Sequence, residues 1–251
     1  MMLNHPGRWS GVGAPRGSEG AQTDTSSAEV NPHEFYYTRY DQQVTSHYFS
    51  ETPEVPFQRR RLDVELAGRP VSVSTSGGIF SPEGIDKGTA VLLKHVPSPP
   101  EEGHLLDVGC GWGPLTLTLA MLSPEATVWA VDVNERARTL CRENAAALGL
   151  GNVRVVAPEE VPSGTRFNTI WSNPPIRVGK KVLHELLELW LPRLQDGGQA
   201  WLVVQKNLGA DSLLTWMRST LATIGDDFEA DRPQTDKGFR LLRVRRRKHL
   251  S

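Results

Sequence analysis

Cysteine is scarce in this chain of 251 residues: there are two, Cys110 and Cys141. They lie far apart, in segments that read as a loop and a helix, which gives no disulfide framework and points to a reducing, intracellular setting. Long apolar runs are missing as well. No stretch nears the roughly 18 consecutive apolar residues of a membrane span, and the first residues lack the apolar core of a secretory signal, so a soluble, cytoplasmic protein is expected. Excess charge is also absent, with 28 Lys and Arg against 29 Asp and Glu. Bulk electrostatics therefore attracts no polyanion, and any nucleic-acid contact has to come from local patches. The histidines at positions 5, 33, 47, 95, 104, 184 and 249 show no metal-ligand spacing, and no metal is expected. No internal repeat of about 20–50 residues is visible.

Three regions follow one another. Residues 1–45 form a first segment, whose opening 30 are rich in Gly, Ser, Pro and Ala, a composition that does not offset the entropy of folding; disorder is expected there. Aromatics and Arg39 in FYYTRY…SHYFS (35–50) read either as an arm docked on the core or as base-stacking residues. Residues 46–100 read as an extension: Leu62, Val64 and Leu66 alternate, then Val71 and Val73, with AGRP between, which predicts a β-hairpin. A short helix at about 87–95 and the Pro-rich break VPSPPEEG follow.

The third region, 101–251, alternates strands and helices. Strands are expected at 104–108, 127–132, 153–157, 167–172 and 199–205, helices at 114–122, 135–148, 180–194 and 210–222, and closing strands near 227–230 and 239–245. This order predicts an α/β fold, a doubly wound, mostly parallel, seven-stranded Rossmann-like sheet with ligands at the carboxyl ends of its strands.

The strand ends are where the polar residues stand. LLDVGCGWGPLTLTLA (105–120) places Gly109, Gly111 and Gly113 between a strand and a helix, where glycine lets the backbone turn and approach a ligand. The spacing is not the G-x-G-x-x-G of dinucleotide sites. With Asp107 at the strand end, it favours a ligand with a charged amino-acid end over a pyrophosphate. The second strand ends in Asp132, placed to accept both ribose hydroxyls of a nucleoside or to cap the next helix, a role that also suits Asn134. The fourth ends in WSNPPI (171–176). Two prolines fix φ and remove two N–H donors, leaving a stiff corner rich in acceptors that suits a ligand bringing N–H groups.

These stretches resemble the motifs of class I S-adenosylmethionine-dependent methyltransferases. DVGCGWG is similar to their first motif, VDVNERA to their second, and SNPPI to the Asn-Pro-Pro-aromatic motif of those that methylate planar amino groups. Together with GGIFSPEGIDKGTAVLL, they resemble the bacterial small-subunit (16S) ribosomal RNA guanine-N2 methyltransferases over about residues 46–245. That family often carries two related halves, of which this chain holds the catalytic one. The resemblance implies S-adenosylmethionine as cofactor. Asp107, Gly109 and Gly111 would hold its methionine end and Asp132 its ribose, Glu159 would lie by its adenine, and Cys110, Gly113 and Val133 would also belong to the cofactor site. Phe80 and Asp86 would fold over the pocket, although Asp86 reads equally well as a helix cap. The catalytic residues implied are Asn173, Pro174, Pro175 and Ile176.

The chemistry explains the motif. An exocyclic base amine is planar because its lone pair is delocalised into the ring. Two acceptors out of that plane, Asn173 Oδ1 and the Pro174 carbonyl, would turn the lone pair towards the methyl donor, the protein supplying orientation. Ile176 departs from the aromatic that many base-amine enzymes have there, and forgoes a stacking contribution of roughly 1–3 kcal/mol. Arg177, Lys180 and Lys181 beyond this corner and Lys206 after the fifth strand are candidate RNA contacts, with QRRRL (58–62) and RVRRRKHL (243–250) as further basic runs. The implied partner is ribosomal RNA or the small ribosomal subunit, with no membrane and the protein acting as a monomer. Other readings stay open at this stage: the same chemistry on DNA adenine N6 or on a protein glutamine, or a non-catalytic RNA-binding assembly factor on the same fold.

Overall fold

Alternating apolar residues make β1 (Arg59–Leu66) and β2 (Arg69–Ser76). In the computed structural model, which describes residues 56–175 and 178–248, they pair antiparallel with Leu62 opposite Val73 and Val64 opposite Val71. Their apolar side chains therefore share one face. Expectations for residues 1–45 and for the aromatic stretch at 35–50 lie outside the described residues. Ala67 and Gly68 turn the hairpin with φ of 50° and 71°, the mirror-image turn in which Asn-Gly is the favoured pair. Ala67→Asn is expected to stabilise the protein by about 0.5–1 kcal/mol, because asparagine tolerates this left-handed region better than alanine; a raised urea midpoint at constant slope checks it.

The hairpin packs Leu66 and Val73 against Trp112, Leu117 and Leu140 of the main domain. Asn144, 2% exposed, clamps it there: Oδ1 accepts from the Ser74 N–H (2.6 Å), and Nδ2 donates to the carbonyls of Ser74 (2.9 Å) and Trp112 (2.8 Å). Asp86 starts α1 (Lys87–His95), its Oδ2 accepting from the N–H groups of Gly88 (2.7 Å) and Thr89 (3.3 Å).

The chain then runs β3 (His104–Val108), α2 (Pro114–Leu122), β4 (Thr127–Val131), α3 (Glu135–Ala147), β5 (Val153–Val156), β6 (Phe167–Ser172), α4 (Lys180–Trp190), β7 (Leu194–Gln205), α5 (Ala210–Ile224), β8 (Phe228–Asp236) and β9 (Phe239–Arg246). These strands form one seven-stranded sheet in the order β5-β4-β3-β6-β7-β9-β8. The first five are parallel, and β9 runs antiparallel to both of its neighbours. The two-residue period of a strand sends Leu106, Val108, Ile170 and Leu202 to a core shared with α4 and α5. Leu105, Val128, Trp171 and Val203 go to the opposite core, with α1 and α2. A sheet buried on both faces is the doubly wound fold expected from the sequence. The chain winds outward from β3 and returns to β6 on its other side, so ligands are expected at the carboxyl ends of these two strands.

Three boundaries differ from the sequence pattern by more than two residues. The helix expected over 180–194 stops at Trp190, because Pro192 has no N–H with which to continue it; a 3-10 turn over Leu191–Arg193 leads into β7, which starts at Leu194 rather than at 199. The strand expected near 227–230 extends to Asp236 across Pro233. Proline is tolerated there because β8 is an edge strand and its register shifts between Asp231 and Gln234. The two cysteines, remote in sequence, are both free and buried in one cluster with Ala130 and Val155. Interaction with Cys141, then burial, pushes the Cys110 thiol well above the ordinary range. Among the described residues no helix is long and apolar enough to cross a membrane.

Candidate active site

The carboxyl ends of β3, β4 and β6 bring Asp107, Asp132 and Asn173 together. After β3, the N–H groups of Gly109 and Cys110 both donate to the Val131 carbonyl, at 2.8 and 3.0 Å, tying the loop to the end of β4. Gly109 and Gly111 have φ of 82° and 55°, and a Cβ on either would meet nothing within 4 Å. Backbone conformation, not crowding by protein, requires glycine at both positions.

Asp107 is 1% exposed. Its Oδ2 accepts from the Thr116 N–H (3.0 Å) and hydroxyl (2.6 Å), while its Oδ1 has no hydrogen-bond partner among the described residues. It lines a small recess with Gly109, Cys110, Gly111 and Asn173. Burial pushes its carboxyl up to about 7, against the lowering effect of the Thr116 hydrogen bonds.

Asp132 is not the cap of α3. Asn134 is, with Oδ1 accepting from the Arg136 N–H at 2.9 Å. Asp132 instead accepts from the Gly111 N–H (3.0 Å) and the Asn134 N–H (2.9 Å), and burial raises its carboxyl. A carboxylate offers about four lone-pair directions, so acceptor capacity remains for a diol.

At the end of β6, Asn173 Nδ2 donates to Asp86 Oδ2 (2.9 Å) and Thr89 Oγ1 (3.1 Å). With both N–H groups engaged, the amide has one orientation and Oδ1 is its remaining acceptor. Asp86 therefore caps α1 and also holds the Asn173 amide; the two readings of Asp86 are one arrangement. Thr89→Val keeps the shape but removes one of the two acceptors. It is expected to lower kcat about 10-fold, the equivalent of one ordinary hydrogen bond, with cofactor affinity unchanged and Thr89→Ser restoring the rate. Steady-state kinetics and a binding titration check this.

Asp86, Asp132 and Asn173 open onto a cavity of about 720 Å³, within the usual range for small-molecule sites, whereas Asp107, Thr89, Cys110 and Gly111 line the small recess, which shares Phe80, Asp86, Gly109 and Asn173 with that cavity. Phe80, Asp86, Gly109, Asp132, Val133, Asn173, Pro174 and Pro175 line it. Other expected residues lie elsewhere. Gly113 lines neither cavity, and serves as the N-cap of α2 with φ of 105°. Glu159 is exposed and outside the lining; Pro158 lines the cavity instead, and the Glu160 carboxylate accepts from the Ala157 N–H at 2.6 Å. From α4, Val182, Leu186 and Trp190 line the cavity.

Lys180, Lys181 and Lys206 are exposed and outside the lining. Lys181 reaches Glu185 at 3.9 Å, and the turn after β7 contributes Leu208 to the cavity rather than Lys206. Ile176 and Arg177 lie outside the described residues. The C-terminal arginines are paired across the β8–β9 ladder: Arg243 with Asp231 (2.5 Å), Arg245 with Glu229 (3.0 Å) and Arg246 with Asp227 (2.6 Å). That run is locally neutralised rather than a free strip of positive charge. Thr89 and Phe239 are site residues that the sequence pattern does not single out. Thr89 carries a local signal, standing three residues after a capping Asp; Phe239 carries none. Among the described residues no group of three or more His, Cys, Asp or Glu is placed to hold a metal ion.

An orphaned, buried carboxylate oxygen, a partly engaged second carboxylate and a glycine loop open to the cavity suit a ligand with a cationic amino-acid end and a vicinal diol. S-adenosylmethionine has both.

Comparison with known proteins agrees. Residues 70–228 match the methyltransferase small domain family. The chain is 34% identical over 206 residues to protein YbxB of Bacillus subtilis (strain 168), a match covering 81% of this chain and 100% of that protein. It is 30% identical over 243 residues to ribosomal RNA small subunit methyltransferase C of Pseudomonas entomophila (strain L48), covering 94% and 70% of the two chains. Of the protein of that name in Pseudomonas putida (strain GB-1), 31% identical, it spans 63%. Among solved structures, the T. thermophilus 16S rRNA N2 methyltransferase RsmC in complex with AdoMet and guanosine superposes with a TM-score of 0.63 at 23% identity, covering 78% of this chain and 52% of that one; this shows the shared fold. With the family matched over residues 70–228, the chain belongs to the methyltransferase small domain family and is an S-adenosylmethionine-dependent methyltransferase.

Proposed function

We propose that this methyltransferase modifies an exocyclic base amine of RNA, guanine N2 of small-subunit ribosomal RNA. The observation that carries this reading is the Asn173 amide, held by Asp86 and Thr89 and lining the cavity with Pro174; its Oδ1 and the Pro174 carbonyl are the two acceptors we assign to the amine. The names of the Pseudomonas relatives support the RNA substrate.

S-adenosylmethionine, when bound, supplies an electrophilic methyl group on a sulfonium. Asp107, with Gly109, Cys110 and Gly111, would hold the ammonium of its methionyl end. Asp132 would hold the ribose hydroxyls, Val133 and Pro158 would flank the adenine, and Phe80 and Asp86 would cover the opening. Asn173 and Pro174 would draw the two N–H groups of the base out of its plane; the amine nitrogen would bond to the methyl carbon as the carbon–sulfur bond breaks and its electron pair returns to sulfur, leaving a neutral thioether, and the amine would then lose its proton to solvent. The target base has to be unstacked or single-stranded to reach this corner. Lys180, Lys181 and Lys206, with Arg177, hold flanking phosphates. The protein works as a cytoplasmic monomer.

Transfer of labelled methyl to ribosomal RNA from cells lacking the gene, offered free and as small subunits, tests this. Label in N2-methylguanosine is expected. Label in N6-methyladenosine would change the base and keep the chemistry. A loaded cofactor with no label in any RNA would overturn the RNA reading.

A further inference from the structure

We propose that Phe239 is the residue that stacks on the target base, supplying the flat aromatic face that is missing after Pro175. This rests on the base-amine reading above. Ile176 has no ring, yet an unstacked base gains from a π-face in its pocket.

Among the described residues, three aromatics line the main cavity with Asn173: Phe80, Trp190 and Phe239. Trp190 is 1% exposed and packs edge-on to Phe167, with centroids 6.1 Å apart, so its ring belongs to the core. Phe80 is 63% exposed and also lines the recess around Asp107 and the glycine loop, which places it on the cofactor side. Phe239 does not line that recess. It is half-buried, packs against the core cluster that holds Trp201 and Leu241, and shares the Gly88 corner with the Asn173 amide: a Cβ on Gly88 would be 2.9 Å from Asp86 Oδ2, 3.1 Å from Phe239 Cε1 and 3.4 Å from Asn173 Nδ2.

The ring is also well anchored. Phe239 opens β9 opposite Gln205 of β7, and the Gly238 carbonyl before it accepts from the Lys206 N–H at 2.9 Å. At the tip of the same hairpin, Asp236 Oδ2 lies 2.8 Å from both Lys94 Nζ and His95 Nε2 in the last turn of α1. One helix thus orients the Asn173 amide with its first turn and ties down the Phe239 hairpin with its last.

The test compares wild type, Phe239→Leu and Phe239→Tyr in labelled-methyl transfer to ribosomal RNA and small subunits, with cofactor affinity measured in parallel. Leucine fills the space without a π-face, so kcat/KM for RNA is expected to fall about 5- to 150-fold. Tyrosine should stay within about 3-fold of wild type, and cofactor affinity should be unchanged in both. Phe239→Leu matching wild type, or Phe239→Tyr as impaired as the leucine variant, would overturn the proposal. Should the leucine variant not fold, Phe239→Met against Phe239→Tyr decides on the same criteria. Label in another nucleoside with the leucine–tyrosine contrast intact would remove the guanine assignment and keep the stacking. Label in N2-methylguanosine without that contrast would do the reverse, and no transfer to RNA by wild type would remove both.

Discussion

Asn173→Ala is expected to lower the rate of methyl transfer about 10²- to 10³-fold, the usual loss when one positioned polar group at a reacting centre is removed. Affinity for S-adenosylmethionine should stay within about 3-fold of wild type, because Asp107 and Asp132, to which its ammonium and ribose are assigned above, are unchanged. The reason is geometric. Asn173 Oδ1 is placed by two bonds from Nδ2, to Asp86 at 2.9 Å and Thr89 at 3.1 Å, and alanine removes the acceptor while α1 keeps its Asp86 cap. Asn173→Asp should be no better, since it sets a second carboxylate against Asp86 Oδ2. Single-turnover transfer to RNA together with calorimetric cofactor binding separates the two effects. Undiminished transfer by the alanine variant would take Asn173 out of the mechanism.

The second large effect is a pH dependence centred on Asp107. Burial raises its carboxyl from the ordinary 3.8 to about 7, so between these values the folded protein holds a proton that the unfolded chain has released. Stability of the cofactor-free protein should therefore fall as pH rises from about 4 to about 7 and level off above, by on the order of 4 kcal/mol in all. A cationic ammonium at Oδ1 favours the ionised carboxylate, so cofactor affinity should rise up to 10-fold per pH unit towards about 7 and then flatten. Asp107→Asn should abolish this contribution to both slopes, stabilise the cofactor-free protein at pH 8, and weaken cofactor binding there about 10- to 100-fold through loss of a charge-assisted hydrogen bond. Thermal denaturation and binding titrations from pH 5 to 8 check these statements. Parallel pH profiles for the two proteins would show that Asp107 is not the titrating group.

Much of this site is legible in the amino-acid sequence because its signals are local. The span of β6 follows from an apolar run stopped by Asn173 and two prolines, and that of α1 from Asp86 as cap and a short apolar helix ahead of a Pro-rich break. The glycine loop, Asp132 and the Asn-Pro-Pro corner stand at strand ends, and a parallel sheet wound in both directions from β3 makes those ends neighbours. Even the Asn134 cap and the bond from the Asn134 N–H to Asp132 involve only the residues around the turn.

The rest depends on which strands pair and in what register, which a local pattern does not encode. An arginine-rich run reads the same whether solvated or paired; the β8–β9 ladder sets Arg243 opposite Asp231 and Arg245 opposite Glu229. The two cysteines meet only because α3 packs beside the glycine loop. Phe239, far along the chain from Asn173, reaches the amide because β9 inserts beside β7 and its hairpin tip is fastened to α1. By itself, the sequence determined the strand ends, the turn residues and the acceptors they carry, since these follow from backbone conformation and the two-residue period of a strand. The tertiary structure alone decided which charges are neutralised, which carboxylate oxygen is left without a partner among the described residues and which ring lines the cavity with Asn173, since each of these depends on segments distant in sequence.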